Sequence, residues 1–485
     1  MAQPTPRSLS LPAAWLCSLA TALLAACGGG SGGAGSSEQA AKHRGDRATE
    51  LPTASPHAAR PRPGTFGHLF NLPPYAPPSA ALNDLGSPAG PMLDDNAPAN
   101  DNPRREPAGF TFFGQFLDHD MTLDRKPLQD APVPLSELEN SREPNLNLDS
   151  VYGGGPRFNP ELYDSRGRIL LSSGGRDLQR RADGTAVLFE PRNDENMIVA
   201  QIHVAIARFH NALIDSGKNF EQARAETILH YQWVVVHDFL PRVAGRSRVD
   251  AALRGELGIY DVRNPHRKVM PVEFGVAAYR FGHSMVRRAY VLGADQGVRV
   301  QVFNPDGDDL RGGRPIPAAK RIQWSNFFQI PGTSLPQPPV NVSRKIDTLL
   351  SSGMFVLPPI AIPAGGPVVL AQRNLIRGKS YGLPSGQAVA TELGITPLDN
   401  ARIGLTDPRL GGQAPLWYYV LAEAQVLENG AQLGPVGGAI VADVVAGLLR
   451  KDKTGLLHGN NKHWRPMTGP GFRMGDFLKF AGVAS

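Results

Sequence analysis

Residues Phe110 to Asp124 read FTFFGQFLDHDMTLD, and the rest of the chain is best read outward from them. The stretch sets one imidazole, His119, between two carboxylates, Asp118 and Asp120, inside an aromatic run that suits a helix. Pro107 lies just before it, where proline fits a first helical turn. At about 100° per residue, Gln115 and His119 share a face, while Asp118 and Asp120 flank His119 and diverge by about 200°. Each Asp therefore needs a partner of its own, because a buried carboxylate without a cation, a donor or a covalent bond is costly.

The 485 residues can bury a sizeable core, as one large domain or as two or three ordinary ones. Gly (53) and Pro (44) make up about a fifth of the chain, against roughly 12% ordinarily, so long loops are expected between the regular elements. The net charge is +6, but Lys and Arg are scattered among acids with no basic, aromatic-laced run, so no nucleic-acid partner is expected. The two cysteines, Cys17 and Cys27, both fall in the first thirty residues, which leaves no disulfide framework for a folded domain. No Walker motif, dinucleotide fingerprint, HExxH or GxSxG occurs, and no internal repeat is visible.

The N-terminus carries Arg7 and then the apolar run LPAAWLCSLATALLAAC, the pattern of an export signal. Leu24-Ala25-Ala26-Cys27 resembles a bacterial lipobox, in which cleavage leaves Cys27 as an acylated N-terminus. Residues 1–26 are thus expected to be a lipoprotein signal peptide and 27–65 a flexible Gly/Ser/Pro-rich linker. The folded domain is expected at 66–485, with 66–106 wrapped over its surface as extended chain. The membrane partner implied is a lipid anchor on the bacterial envelope, most simply the outer membrane.

Further along, PNLNLDSVYGGG (144–155) alternates Asn145, Asn147 and Asp149 with Leu146 and Leu148. In extended chain this gathers three oxygen-bearing side chains on one face, a pattern that suits Ca²⁺ with Asp120 as a further ligand, and equally a series of Asx turns. Ile198, Ile202, Ile206, Phe209 and Leu213 predict a core helix over 196–215, with Arg192 and Glu195 at its entry. His203 and His210 on that helix read as packing histidines. Helices are also expected over 222–240, stopping at Pro241, over 274–290 with Arg280 and His283 on one side, and over 416–430, ending at a Gly cap. Asn374 and Arg377 stand three apart in AQRNLIRGKSYGLPSGQA (371–388).

In order, GQFLDHD (114–120), LDSVYGGG (148–155), PRNDEN (191–196) with IARFHN (206–211), YRFGHSM (279–285) and RNLIRGKSYGLP (373–384) resemble the animal-type haem peroxidases of the peroxidase-cyclooxygenase superfamily, most closely their bacterial members. The resemblance implies a mainly α domain with long loops and little β-structure, holding haem b, whose partners are H₂O₂ and a small reducing substrate such as a halide, thiocyanate or a phenol. It makes His119 the distal histidine, Arg192 the distal arginine and Gln115 a neighbour of the peroxide and halide pocket. His283 becomes the proximal iron ligand, Asn374 the acceptor of its second N–H, and Arg377 the partner of a haem propionate. Asp118 and Glu195 match the acids that form ester bonds to haem. Asp120, Asn147, Asp149, Glu143 and Asn145 match a calcium loop.

Three departures bear on these expectations. Asn196 follows Glu195 where members with a sulfonium link carry Met, so that link is not expected. Asn147 and Glu143 replace the usual Asp and Thr of the calcium loop. Arg280, placed with the cofactor-binding residues, occupies the position at which fatty-acid dioxygenases of the same superfamily carry their radical Tyr, and this favours a peroxidase over a dioxygenase. A non-catalytic haem-binding or adhesive module is the remaining alternative, although it would need neither His119 nor Arg192.

Overall fold

Apolar periodicity organises the chain around buried helices, as a computed structural model describes for residues 63–94, 100–260, 269–295, 297–304, 306–332, 339–357 and 367–484. The expected signal peptide, Cys27 and most of the linker lie outside the described residues. Residues 63–65, assigned to the linker, are among those described, and Gly64 and Thr65 lie in a strand. Strand β1 (Gly64–Gly67) pairs antiparallel with β2 (Glu139–Asn140) and parallel with β3 (Val269–Pro271), so it sits in the middle of a three-stranded sheet.

The segment 66–106 is not extended throughout as expected: between its proline clusters it winds into the short helix α1 (Ser79–Leu85), which buries Ala81, Leu82 and Leu85. Tyr75 donates its hydroxyl hydrogen to the Leu410 carbonyl at 2.8 Å. Leu69 N donates to Glu273 at 2.8 Å. The extension is therefore tied to the body of the fold by hydrogen bonds as well as by apolar burial.

Helix α2 (Gly109–Met121) is the predicted aromatic helix, and it buries Phe112, Phe113, Phe116 and Leu117. It enters at Gly109 because a Cβ there would lie 2.3 Å from the Phe328 ring. Helix α3 (Met197–Asp215) matches the predicted core helix. Asn196 caps it, its side-chain oxygen accepting from Ile198 N and Val199 N. It is apolar and long enough to cross a membrane by length and composition, yet 89% of that window is buried inside the protein, so its apolar surface is already covered.

Two expected helices are corrected. Helix α4 (Phe220–Val234) does not stop at Pro241: the winding continues through wide π turns at Val235–Phe239 and Pro241–Gly245 into helix α5 (Arg246–Arg254). Proline lacks an N–H and crowds the i−4 carbonyl of an α turn, and a locally widened register relieves both constraints. The expected helix over 274–290 is instead a broken path: a π turn at Glu273–Ala277, a 3₁₀ turn at Ala278–Phe281, one α turn at Gly282–Met285, then a strand at Ala289–Val291. Arg280 Nε gives the Gly275 carbonyl a partner at 3.2 Å where the winding changes.

Helix α6 (Leu370–Ser380) carries Asn374 and Arg377. Helix α7 (Leu416–Glu428) ends one residue earlier than expected, with Asn429 and Gly430 both left-handed. Helix α8 (Pro435–Lys451) packs on α5 and α7. The pairings between strands are short, and the fold class is mainly α, as predicted.

Candidate active site

A cavity of about 340 Å³ opens between α2, the turn 192–195, the broken path 275–286 and α6. Its lining brings together Gln115, Asp118, His119, Arg192, Glu195, Arg280, His283, Asn374 and Arg377, which come from four separate stretches of sequence.

On one wall, His119 is buried and pairs through Nδ1 with Asn193 Oδ1 at 3.0 Å. Asn193 Nδ2 in turn meets His203 Nδ1 at 3.1 Å. An amide oxygen only accepts, so the His119 proton sits on Nδ1 and the Nε2 lone pair is left free on the cavity side. Burial, reinforced by the Arg192 charge, pushes the His119 pKa down to about 3, which keeps the ring neutral. Glu195 Oε2 lies 3.9 Å from His119 Nε2. Burial pushes the Glu195 pKa up to about 7 against the pull of Arg192. Gln115 bridges the wall, donating to Glu195 at 3.3 Å and accepting from Asn196 Nδ2 at 3.1 Å.

Arg192 is steered by a partner absent from the sequence reading. Its Nε and Nη2 donate to Glu190 at 3.0 and 2.9 Å, and Nη2 reaches the His119 carbonyl at 3.2 Å, while Nη1 lies 4.0 Å from Asp118. Glu190 is buried, which alone would raise its pKa, but Arg192 and Arg142 bring it down to about 2. Asp118 accepts from Thr122 Oγ1 at 2.9 Å and opens towards the cavity, its pKa raised by burial against Arg192 and Arg280.

On the opposite wall, Asn374 Nδ2 lies 2.8 Å from His283 Nδ1, and Asn374 Oδ1 accepts from Arg280 Nη1 at 2.8 Å. This reverses the expected direction, in which Asn374 accepts from His283. Arg280 has only N–H groups to offer, so it claims the amide oxygen and turns the amide nitrogen towards the imidazole. Burial, then Arg280, holds His283 neutral with a pKa near 3. Arg377 is engaged by protein groups: Nη1 pairs with Asp124 and meets the Tyr381 hydroxyl at 3.0 Å.

The 143–149 loop departs from the extended reading. Leu146 and Leu148 are buried and Glu143, Asn145 and Asn147 half-buried, so the alternation is real, but Leu148 is left-handed (φ 56°) and Asp149 begins a short helical turn, Asp149–Tyr152. Asp149 therefore turns inward, away from the face that carries Asn145 and Asn147. Those two amides spend their oxygens on Leu146 N and Asp149 N. Asp120 accepts from Leu148 N, Ser150 N, Ser150 Oγ and the Tyr231 hydroxyl. Both Asp149 oxygens are buried without a hydrogen-bond partner, and burial with the nearby Asp120 charge raises the Asp149 pKa well above the carboxylate range. Arg142 Nη1 stands 3.9 Å away. Among the described residues, no group of three His, Cys, Asp or Glu side chains gathers as a metal site.

His203 and His210 pack as read from the sequence, the second held between the Tyr152 hydroxyl at 3.1 Å and the Gly167 carbonyl at 3.0 Å. Glu190 stands directly before Pro191 and its side chain accepts from Arg192 N, but Glu is not among the residue types that mark a cap, so no local pattern pointed to it. Nothing in sequence order ties Arg142 or Asp124 to the site.

A helical domain with a neutral histidine on each wall of one cavity, His119 buried and His283 half-buried, and an arginine beside the first, has the form of a haem-dependent oxidoreductase. A family model for animal haem peroxidase matches residues 157–402, and the chain belongs to that family. The match spans Arg192, Glu195, His283, Asn374 and Arg377, and it starts after α2. Peroxinectin A of Dictyostelium discoideum is 27% identical over 240 residues, covering 46% of this chain and 39% of that protein. Peroxidase-like protein of Margaritifera margaritifera is 24% identical over 390 residues, covering 64% of this chain and 47% of that protein. The chain thus spans less than half the length of these two relatives. Among solved structures, Peroxidase A from Dictyostelium discoideum superposes with a TM-score of 0.59 at 16% identity, covering 88% of this chain and 93% of that one. A fatty acid alpha-dioxygenase of Arabidopsis thaliana gives 0.56 at 14% identity, covering 87% and 76%. These two likenesses are of fold.

Proposed function

We propose that this chain is a haem peroxidase that uses H₂O₂ to oxidise halides, thiocyanate or small phenolic donors. The observation that carries this reading is the free Nε2 of a buried, neutral His119 facing the same cavity as Arg192 and His283. The residues fit haem b on one condition: His283 would offer Nε2 to iron once its proton moves to Nδ1 and the Asn374 amide turns its oxygen to accept it, and guanidinium groups from Arg280, Arg373 and Arg377 line a cavity otherwise rich in aromatic and aliphatic side chains. Haem, when bound, supplies the redox centre that accepts oxidising equivalents from peroxide and passes them to the donor.

In this reading His119 Nε2 takes the proton of H₂O₂ and returns it to the departing oxygen, general base first and general acid second. The low pKa keeps the ring unprotonated before it acts and makes it quick to give the proton back. Arg192, held by Glu190, faces the charge that builds as the O–O bond breaks. Asp118 and Glu195, both open to the cavity, would each hold haem as an ester, the carboxyl oxygen replacing one hydrogen of a haem methyl group while H₂O₂ takes up the two electrons and two protons released and leaves as water. Asn196, which caps α3 and donates to Gln115, has no thioether sulfur, so no sulfonium link can form at this position. Asp149 and Asp120 are proposed to share a Ca²⁺ with neutral oxygens of the 143–149 loop, which would complete the two orphaned Asp149 oxygens.

A second reading, a fatty-acid dioxygenase, draws on Tyr279, which lines the cavity with its hydroxyl buried and without a hydrogen-bond partner. The position three residues before His283, however, holds Arg280, committed to Asn374. Haem-loaded protein assayed with H₂O₂ against bromide, iodide, thiocyanate and phenols separates the readings: peroxide-dependent turnover is expected. Oxygen uptake on fatty acids without peroxide-dependent donor oxidation would favour the dioxygenase. Haem that leaves completely into acid-acetone would remove the proposed esters.

A further inference from the structure

Four arginines line the cavity, and they differ in what they pair with. Arg192 meets Glu190, and Arg377 meets Asp124. Arg280 spends itself on Asn374 Oδ1 and the Gly275 carbonyl. Arg373 is 91% buried (9% exposed), yet it has one hydrogen bond, from Nη1 to the Pro367 carbonyl at 3.0 Å, and no carboxylate partner among the described residues. The neighbouring residues 358–366, PPIAIPAGG, contain no acid to supply one.

Position and chemistry make this arrangement informative. Arg373 lies one helical turn before Arg377 on α6, hence on the same cavity-facing side, next to the apolar wall of Leu370, Met354 and Leu357. Lysine or histidine in such a place relieves its burial by losing a proton, but a guanidinium stays charged and needs an anion instead. Its planar fork matches a carboxylate with two parallel hydrogen bonds.

We propose that Arg373 is a carboxylate-binding residue of the cavity, recognising an anionic group on the molecule that the cavity holds. The carboxylate belongs either to a side chain of the porphyrin or to an anionic reducing donor seated against the apolar wall. Burial and the like charge of Arg377 both press on the Arg373 guanidinium, and a bound carboxylate relieves each. The inference rests on the haem peroxidase reading and adds to it a residue that Arg377, already paired with Asp124, leaves room for.

The test compares wild type with Arg373→Gln and Arg373→Lys. Haem-free protein is titrated with haem and with haem dimethyl ester, following the Soret band. Loaded protein is then assayed with a carboxylated phenol and with a neutral one. A porphyrin carboxylate predicts that Arg373→Gln binds haem about 10- to 100-fold more weakly while its affinity for the dimethyl ester is unchanged from wild type. A donor carboxylate predicts a KM raised about 10-fold or more for the anionic phenol alone, with kcat retained. Arg373→Lys keeps the charge without the fork and should fall between; it carries the test if the Gln variant melts early. Haem affinity and both KM values unchanged in the variants overturn the inference alone. A wild type that forms no Soret band overturns the peroxidase reading and the inference with it.

Discussion

Asn193 fixes the chemistry of His119 by being bound at both ends: its amide nitrogen is committed to His203, so only its oxygen remains for His119 Nδ1. The tautomer follows from this short chain of hydrogen bonds rather than from any charge on His119. Burial works on the other histidines in the same sense: His203, His210, His230 and His237 are held down to about 4, His119 and His283 to about 3. A group depressed on folding stabilises the fold fully above its ordinary pKa of 6.5, and that stability is lost as pH falls towards the depressed value. Raised carboxylates act in the opposite sense: Asp120, Glu195 and Glu423 at about 6 or 7, with Asp118, Asp149, Asp194 and Asp347 raised by burial as well. Relative to His237→Gln, wild-type haem-free protein should therefore lose melting temperature as pH is lowered from about 6.5 to about 4; a difference between the two that stays constant across that range would refute the assignment of a neutral His237. At this scale the motif residues were legible because their chemistry is carried by residue type, while Glu190 and Asn193 were passed over because they act through Arg192 and His119.

Among the elements, the regular helices were the easier part to read. The apolar spacing of α3 and the aromatic run of α2 set their existence, and the Asn196 cap sets where α3 begins. The broken path around His283 was not legible, since Phe274 to Tyr290 has the periodicity of one helix, and the change from wide to tight turns is imposed by packing and by the Arg280 bond to Gly275. The loop at 143–149 shows a similar limit: alternation was visible, but the left-handed Leu148 that turns Asp149 inward was not. If that loop binds Ca²⁺, chelation should lower the melting temperature, since a cation present at 100 times its Kd contributes about 2.7 kcal/mol. Asp149→Asn should melt at the chelated temperature with or without added Ca²⁺. A wild-type melting temperature indifferent to chelator would dismiss the calcium proposal and leave Arg142 as the cation facing Asp149.

Across the whole molecule, the cavity exists because four stretches that are distant in sequence close on one another: α2, the turn before α3, the broken path and α6. Sequence order announced these stretches as an ordered series of motifs, and the fold brings every one of their named haem-site residues to one lining. What it adds is the web between them, such as Asp124 from just beyond α2 reaching Arg377 on α6, a contact across 253 residues that no local pattern announces. The central claim is that this closure sets a neutral His119 to move the proton of H₂O₂ across from His283. Stopped-flow mixing of haem-loaded protein with H₂O₂, for wild type and His119→Ala, tests it most directly. A fall in the rate of the peroxide-dependent Soret change of about 10²- to 10⁴-fold is predicted for the variant, and equal rates in the two proteins would contradict the account.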